Sequence, residues 1–193
     1  MGDVEAGDDL DGYLDGVLIG GREEREIRMV DYDDEWPRRF EAERQRIQAA
    51  IGSSTGRIEH IGSTAVPGLA AKPVVDVMIS VEDPADESAY VPQLEAAGYV
   101  LRVREAGHRM LRTPAKDVHL HVWVAGSDDE RRHLVFRDRL RASEADRFEY
   151  DQTKPQLIGH WRDMNHYAQA KDAVITRIMR RADGEPAEDN RCP

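Results

Sequence analysis

The chain has 193 residues, 40% of them hydrophobic, 34% charged and 6% aromatic, with a formal charge of −11. That is enough apolar material for one domain with a real core, and it excludes wholesale disorder; no run approaches the ~20 apolar residues of a bilayer span. Residues 1–25 hold eight acids and two bases and residues 183–193 four acids and one base, leaving a nearly neutral middle, so a basic nucleic-acid footprint is not expected. A local cationic pocket needs only a few Lys and Arg and stays open.

The single cysteine, Cys192, excludes an internal disulfide and a Cys-based metal site. The start of the chain has no cationic segment followed by an apolar stretch, so a cytoplasmic protein without membrane contact is expected. Residues 1–22 and 183–193, rich in Gly and acids, read as flexible and dispensable flanks of one domain at 23–182. The cluster of Tyr13, Leu14, Val17, Leu18 and Ile19 is the exception that could dock.

Along the domain, a helix is predicted from Asp34 as N-cap to Gly52, with Pro37 in its first turn and Trp36, Phe40, Ile47 and Ile51 on one side. A strand at 57–61 leads into Gly62-Ser63-Thr64-Ala65-Val66-Pro67-Gly68-Leu69. The run 74–81 reads as a strand whose period of two puts Val74, Asp76, Met78 and Ser80 on one face and Val75, Val77, Ile79 and Val81 on the other. A helix over 84–97, closed by Gly98, precedes strands at 99–104, 109–113 and 118–124, with Ala106-Gly107 turning between the first two. Ser127-x-x-Glu130 is a capping box for a helix through Leu140, and Ser143-x-x-Asp146 starts another, expected to break near Pro155. A last helix spans 163–181. This order predicts an α/β (α+β) fold, a mixed sheet flanked by helices with a helical C-terminal third.

Two features carry chemistry. A Gly-Ser step after a strand frees backbone donors that can cradle phosphates, although a tight connection with Ser as a cap gives the same pattern. A carboxylate inside Val-Val-Asp-Val-Met-Ile is out of character for a core strand, because burying it costs several kcal/mol unless it is paired or metal-bound. Period two also puts His119 and His121 on one face with Trp123. If that strand lies beside Asp76, two imidazoles and a carboxylate converge as a set that suits zinc, iron or manganese better than magnesium, with His60 a further candidate. Hydrogen bonding to Asp76 without any metal is the competing reading.

The stretch Glu59-His60-Ile61-Gly62-Ser63-Thr64-Ala65-Val66-Pro67-Gly68-Leu69-Ala70-Ala71-Lys72-Pro73-Val74-Val75-Asp76 resembles the signature of the GrpB family, in the superfamily of DNA polymerase beta type nucleotidyltransferases. The resemblance extends to Tyr32-Asp33, Trp36, His119-Leu120-His121-Val122, Phe136-Arg137-Asp138, Leu140, Tyr150, Lys154, Tyr167 and Lys171, and covers residues 26–182. It implies a nucleotidyltransferase fold with nucleotide phosphates at Gly62 and Ser63 and magnesium on strand carboxylates, here Asp76. From the residues themselves a divalent ion (magnesium or manganese, zinc behind them) is expected on Asp76, His119 and His121, with Asp76 and His121 as the candidate catalytic residues. Lys72, Arg109, Arg137, Lys154, Tyr167 and Lys171 match family positions and are assigned to the phosphate or nucleotide ligand. Members that catalyse transfer carry two further acids. Met78 stands in the second position and His119-Leu120-His121 at the third, so weak magnesium binding is expected. Nucleotidyl transfer to an unknown acceptor, a binding module without catalysis, and hydrolysis at a His and Asp metal site are the three functions carried forward.

Overall fold

This computed structural model describes residues 12–23, 28–52, 55–157 and 171–184, the side chains of 155–157 excepted. Its centre is a five-stranded mixed sheet of β1 (Ile58–Ile61), β2 (Val75–Val81), β3 (Val100–Glu105), β4 (His108–Arg112) and β5 (Val118–Val124), in the order β1-β2-β5-β4-β3. Only β2 and β5 are parallel; the remaining pairs are antiparallel. The helices are α1 (Trp36–Ile51), α2 (Val91–Ala96), α3 (Asp128–Ala142), α4 (Glu144–Leu157) and α5 (Asp172–Ala182). The expected mixed sheet flanked by helices is therefore present.

One face of the sheet is apolar. Val75, Val77, Ile79, Leu111, Leu120 and Val122 are wholly buried there against Trp36 and Ile47 of α1 and Leu94 of α2. The cap of α1 is Glu35, one residue after the predicted Asp34, and the Asp33 side chain accepts from the Glu35 amide (2.9 Å). The helix predicted over 84–97 is a 3-10 turn at Glu87–Ala89 followed by the six residues of α2. Pro92 is the reason: lacking an N–H, it is accommodated in the first turn of a helix and would break the interior of a longer one.

Ser127 caps α3 by accepting from the Glu130 amide (3.2 Å), and Glu130 reaches back to the Gly126 amide. Ser143 accepts likewise from Asp146 (3.2 Å) at the start of α4, which runs past the expected break to Leu157. Helices α3, α4 and α5 close a second apolar cluster in which Leu140, Tyr150, Val174 and Ile178 bury Val66 and Leu69. This cluster anchors the loop that follows Gly62.

Part of the flank expected to be flexible is docked. Residues 12–17 are helical, Leu14 is 5% exposed, Leu18 bridges Val103, and the Ile19 amide donates to the Arg102 carbonyl (2.9 Å). This is the apolar cluster set apart from its glycine- and acid-rich surroundings in the sequence, and burial of Leu14 with partial burial of Leu18 outweighs the ordering of a few residues.

Candidate functional site

The second face of the sheet carries the polar side chains. Parallel register sets Asp76 against His119 and Met78 against His121, and antiparallel β4 adds His108 opposite Trp123, Met110 opposite His121 and Arg112 opposite His119. Asp76 Oδ1 lies 3.3 Å from His119 Nδ1 and 3.8 Å from His121 Nε2. Single ligand-type atoms of the three residues all fall within 4.8 Å of one another. The convergence expected of Asp76, His119 and His121 is thus realised by strand pairing alone.

Burial opposes ionisation of Asp76, and hydrogen bonding from His119, the nearer imidazole, outweighs that penalty, holding its carboxyl well below the usual range. Its side chain stays 29% exposed, so the carboxylate is accessible. One carboxylate with two imidazoles fits a manganese, iron, cobalt or zinc ion; it does not fit magnesium, which favours octahedral oxygen. Met78, where a second acid would stand, is wholly buried.

Gly62 has φ 70°, and a Cβ built there would come within 2.5 Å of Asp76 Oδ2, so only glycine allows the turn to approach the carboxylate this closely. Ser63 opens the 3-10 turn Ser63–Ala65 directly beyond. Gly62, Ser63, Lys72, Lys154 and Lys171 line one small cavity of about 100 Å³ with Asp76 and His119. Lys154 is 2% exposed, with its Nζ donating to the Ala70 carbonyl and 3.3 Å from Asp151 Oδ1. Burial pushes its pKa down to about 8, against the pull of Asp151.

A larger cavity of about 410 Å³ adjoins the first and shares Gly62, Lys72, Asp76, His119 and Lys171 with it. Its far wall is apolar, made by Leu14, Val17 and Leu18 of the docked segment with Val103 and Met110.

Three expected residues do not join. Arg109 pairs with Val122 in register, on the apolar side of the sheet, and is bonded to Glu87 (2.6 Å) and to the carbonyls of Glu105 and His108. Arg137 is 9% exposed and satisfied by Glu59 (2.8 Å), Asp138 (2.8 Å) and the His60 carbonyl (3.0 Å), a brace between α3 and β1. His60 faces the other side of the sheet, stacked on Phe40 and bonded to Thr64 (3.0 Å). Tyr167 lies outside the described residues.

Residues that were not singled out also line the site. His108 and His133 join His121 in the larger cavity, and His108 stacks on Trp123 with centroids 3.9 Å apart. Burial lowers the pKa of His108 to about 3 and of His133 to about 4, so both are neutral near pH 7. The alternation of His108 with Met110 was the signal available for the first; His133, on a helix, had none.

A profile described as GrpB protein matches residues 26–181. The chain belongs to the GrpB family. A UPF0157 protein of Streptomyces coelicolor is 49% identical over 166 residues, 86% of this chain and 89% of that one. The crystal structure of the conserved protein GrpB from Enterococcus faecalis superposes with a TM-score of 0.70 at 33% identity, covering 80% of this chain and 96% of that one. A protein of Mycolicibacterium paratuberculosis described as dephospho-CoA kinase is 31% identical over 153 residues, 64% of this GrpB-family chain but only 38% of the kinase. No described helix is long and apolar enough to cross a membrane.

Proposed function

We propose that this GrpB-family protein binds a small molecule of the nucleotide class, its phosphates against Gly62, Ser63, Lys72 and Lys171 and its remaining part in the adjoining apolar cavity. The observation that carries this reading is the shared wall: both lysines, Gly62, Asp76 and His119 border the small polar cavity and the larger one at once. Lysine ammonium groups suit phosphate as compact point charges, and a cavity of about 410 Å³ lies in the range that holds a small organic group. Similarity to part of a dephospho-CoA kinase agrees with such a ligand.

A divalent ion at Asp76, when bound, would polarise a phosphoryl oxygen. Lys72 and Lys171 orient the phosphates toward Asp76, Ser63 offers a hydroxyl, and the wall of Leu14, Val17 and Leu18 limits water. Transfer of a nucleoside monophosphate, as the superfamily resemblance implies, calls for oxygen ligands around two ions; with Met78 buried, binding is the favoured reading and transfer is weak.

Calorimetric titration of the tag-free protein with each nucleoside triphosphate and with inorganic phosphate, with and without manganese or zinc, tests this. Binding of at least one triphosphate is expected. Ser63→Asp puts a negative charge where the anion sits and should cost at least about tenfold in affinity, about 1.4 kcal/mol. Unchanged affinity in a folded Ser63→Asp protein, or no binding by the natural one, overturns the proposal.

A further inference from the structure

A chain of hydrogen bonds runs from the docked N-terminal segment to His121, which stands beside the carboxylate of Asp76. The Tyr13 hydroxyl donates to Glu105 Oε1. Glu105 Oε2 lies 3.1 Å from His108 Nδ1, His108 Nε2 lies 3.2 Å from His121 Nδ1, and His121 Nε2 lies 3.8 Å from Asp76 Oδ1.

The partners fix the protons. A carboxylate only accepts, so His108 carries its proton on Nδ1 and presents the Nε2 lone pair to its neighbour. His108 is 8% exposed, flat against Trp123 and beside His121, where a second proton would be a buried charge next to another imidazole. His121 must therefore donate from Nδ1, which leaves a lone pair on Nε2. That lone pair faces an oxygen that is also only an acceptor, at a distance too long for a hydrogen bond. Two acceptors facing each other, with His119 Nδ1 alongside, form a site for a cation.

We propose that Glu105 and His108 are positioning residues that fix the tautomer of His121, with Tyr13 holding Glu105 in place, so that Asp76, His119 and His121 take one borderline divalent ion of the manganese to zinc series. This rests on the metal part of the reading above and is independent of the phosphate part. An imidazole ligand whose other nitrogen is bonded to a carboxylate or a relay toward one is the usual outer support of such ions. The N-terminal segment thereby becomes part of the metal site, although none of its residues is a ligand.

The test uses the full-length, tag-free protein stripped with a chelator. Long-range proton–nitrogen spectra of imidazole-labelled protein should show His121 protonated at Nδ1 and bare at Nε2. Cobalt titration, read by its visible bands, and competition with zinc should give one ion per chain. Glu105→Gln keeps the shape but can donate, so it should reverse the tautomers of His108 and His121 and weaken cobalt binding by about tenfold to a hundredfold. Tyr13→Phe should weaken it in the same direction by less. His121 protonated at Nε2 in the natural protein, or unchanged tautomer and affinity in folded Glu105→Gln and Tyr13→Phe, overturns the relay. Failure of the natural protein to bind cobalt or zinc overturns the ion assignment, while triphosphate binding measured without metal reports separately on the phosphate pocket.

Discussion

The two faces of the sheet are made by the same five strands and do opposite work. On the side of α1 and α2, Val75, Val77, Ile79, Leu120 and Val122 are closed off from solvent. On the other, each strand position one residue along turns Asp76, His119 or His121 toward the cavities. Side chains alternate in a strand, so one register fixes both faces at once, and a slip by one residue would exchange them. The apolar core therefore belongs to one face and the candidate ligand groups to the other, and substitutions should separate the two.

Met78 is the strongest way to break that division. It sits on the polar face yet is wholly buried, so Met78→Asp would bury a carboxylate without a partner. A loss of about 3 to 5 kcal/mol in urea unfolding is expected, with no gain of magnesium-dependent turnover. A stable Met78→Asp protein that turns over nucleotides with magnesium would mean that the polar face still admits the second acid.

A cleaner contrast comes from one substitution on each face. Leu120→Ala removes a buried side chain from the core and should cost about 2 to 5 kcal/mol while leaving triphosphate affinity nearly unchanged. Asp76→Asn should instead abolish cobalt binding, and any stability it loses belongs to the carboxylate's contact with His119 and not to the core. Equal effects of both variants on both measurements would erase the distinction between the faces.

Acid should attack the apolar side through His60, which is packed on Phe40 with a pKa lowered by burial to about 4 from 6.5. Between those values the unfolded chain binds more protons than the folded one, so stability is complete above pH 6.5 and lost as the pH falls toward 4. The loss approaches about 3 kcal/mol at pH 4. Urea midpoints at pH 7 and pH 4.5 should differ less in His60→Gln than in the natural protein; an equal difference would assign the acid sensitivity to other groups.

Arg109 sharpens the same comparison with the smallest effect. Being on the apolar side and paired with Glu87, it should leave triphosphate affinity alone as Arg109→Gln. Lys171→Gln, at the shared wall of the cavities, should weaken triphosphate binding measurably. A drop in affinity with Arg109→Gln would bring that arginine back into the site.

Much of the fold was legible because it is local. Alternation marked β2 and β5, Ser127 and Ser143 marked the starts of α3 and α4, and Gly52 and Gly98 marked ends, each through hydrogen bonds or dihedral preferences spanning a few residues. The odd carboxylate in β2 and the paired histidines of β5 were legible for the same reason, since burial of polar groups in a strand demands partners. What the sequence could not determine was which side of the sheet each distant group would reach. Arg109, Arg137 and His60 share the family pattern with Asp76, yet pairing register and helix packing turn two of them into braces and the third toward Phe40. Only tertiary structure brings Tyr13 to Glu105, 92 positions away, and Glu105 through His108 to His121 beside Asp76, because a contact across the sheet leaves no periodic trace along the chain.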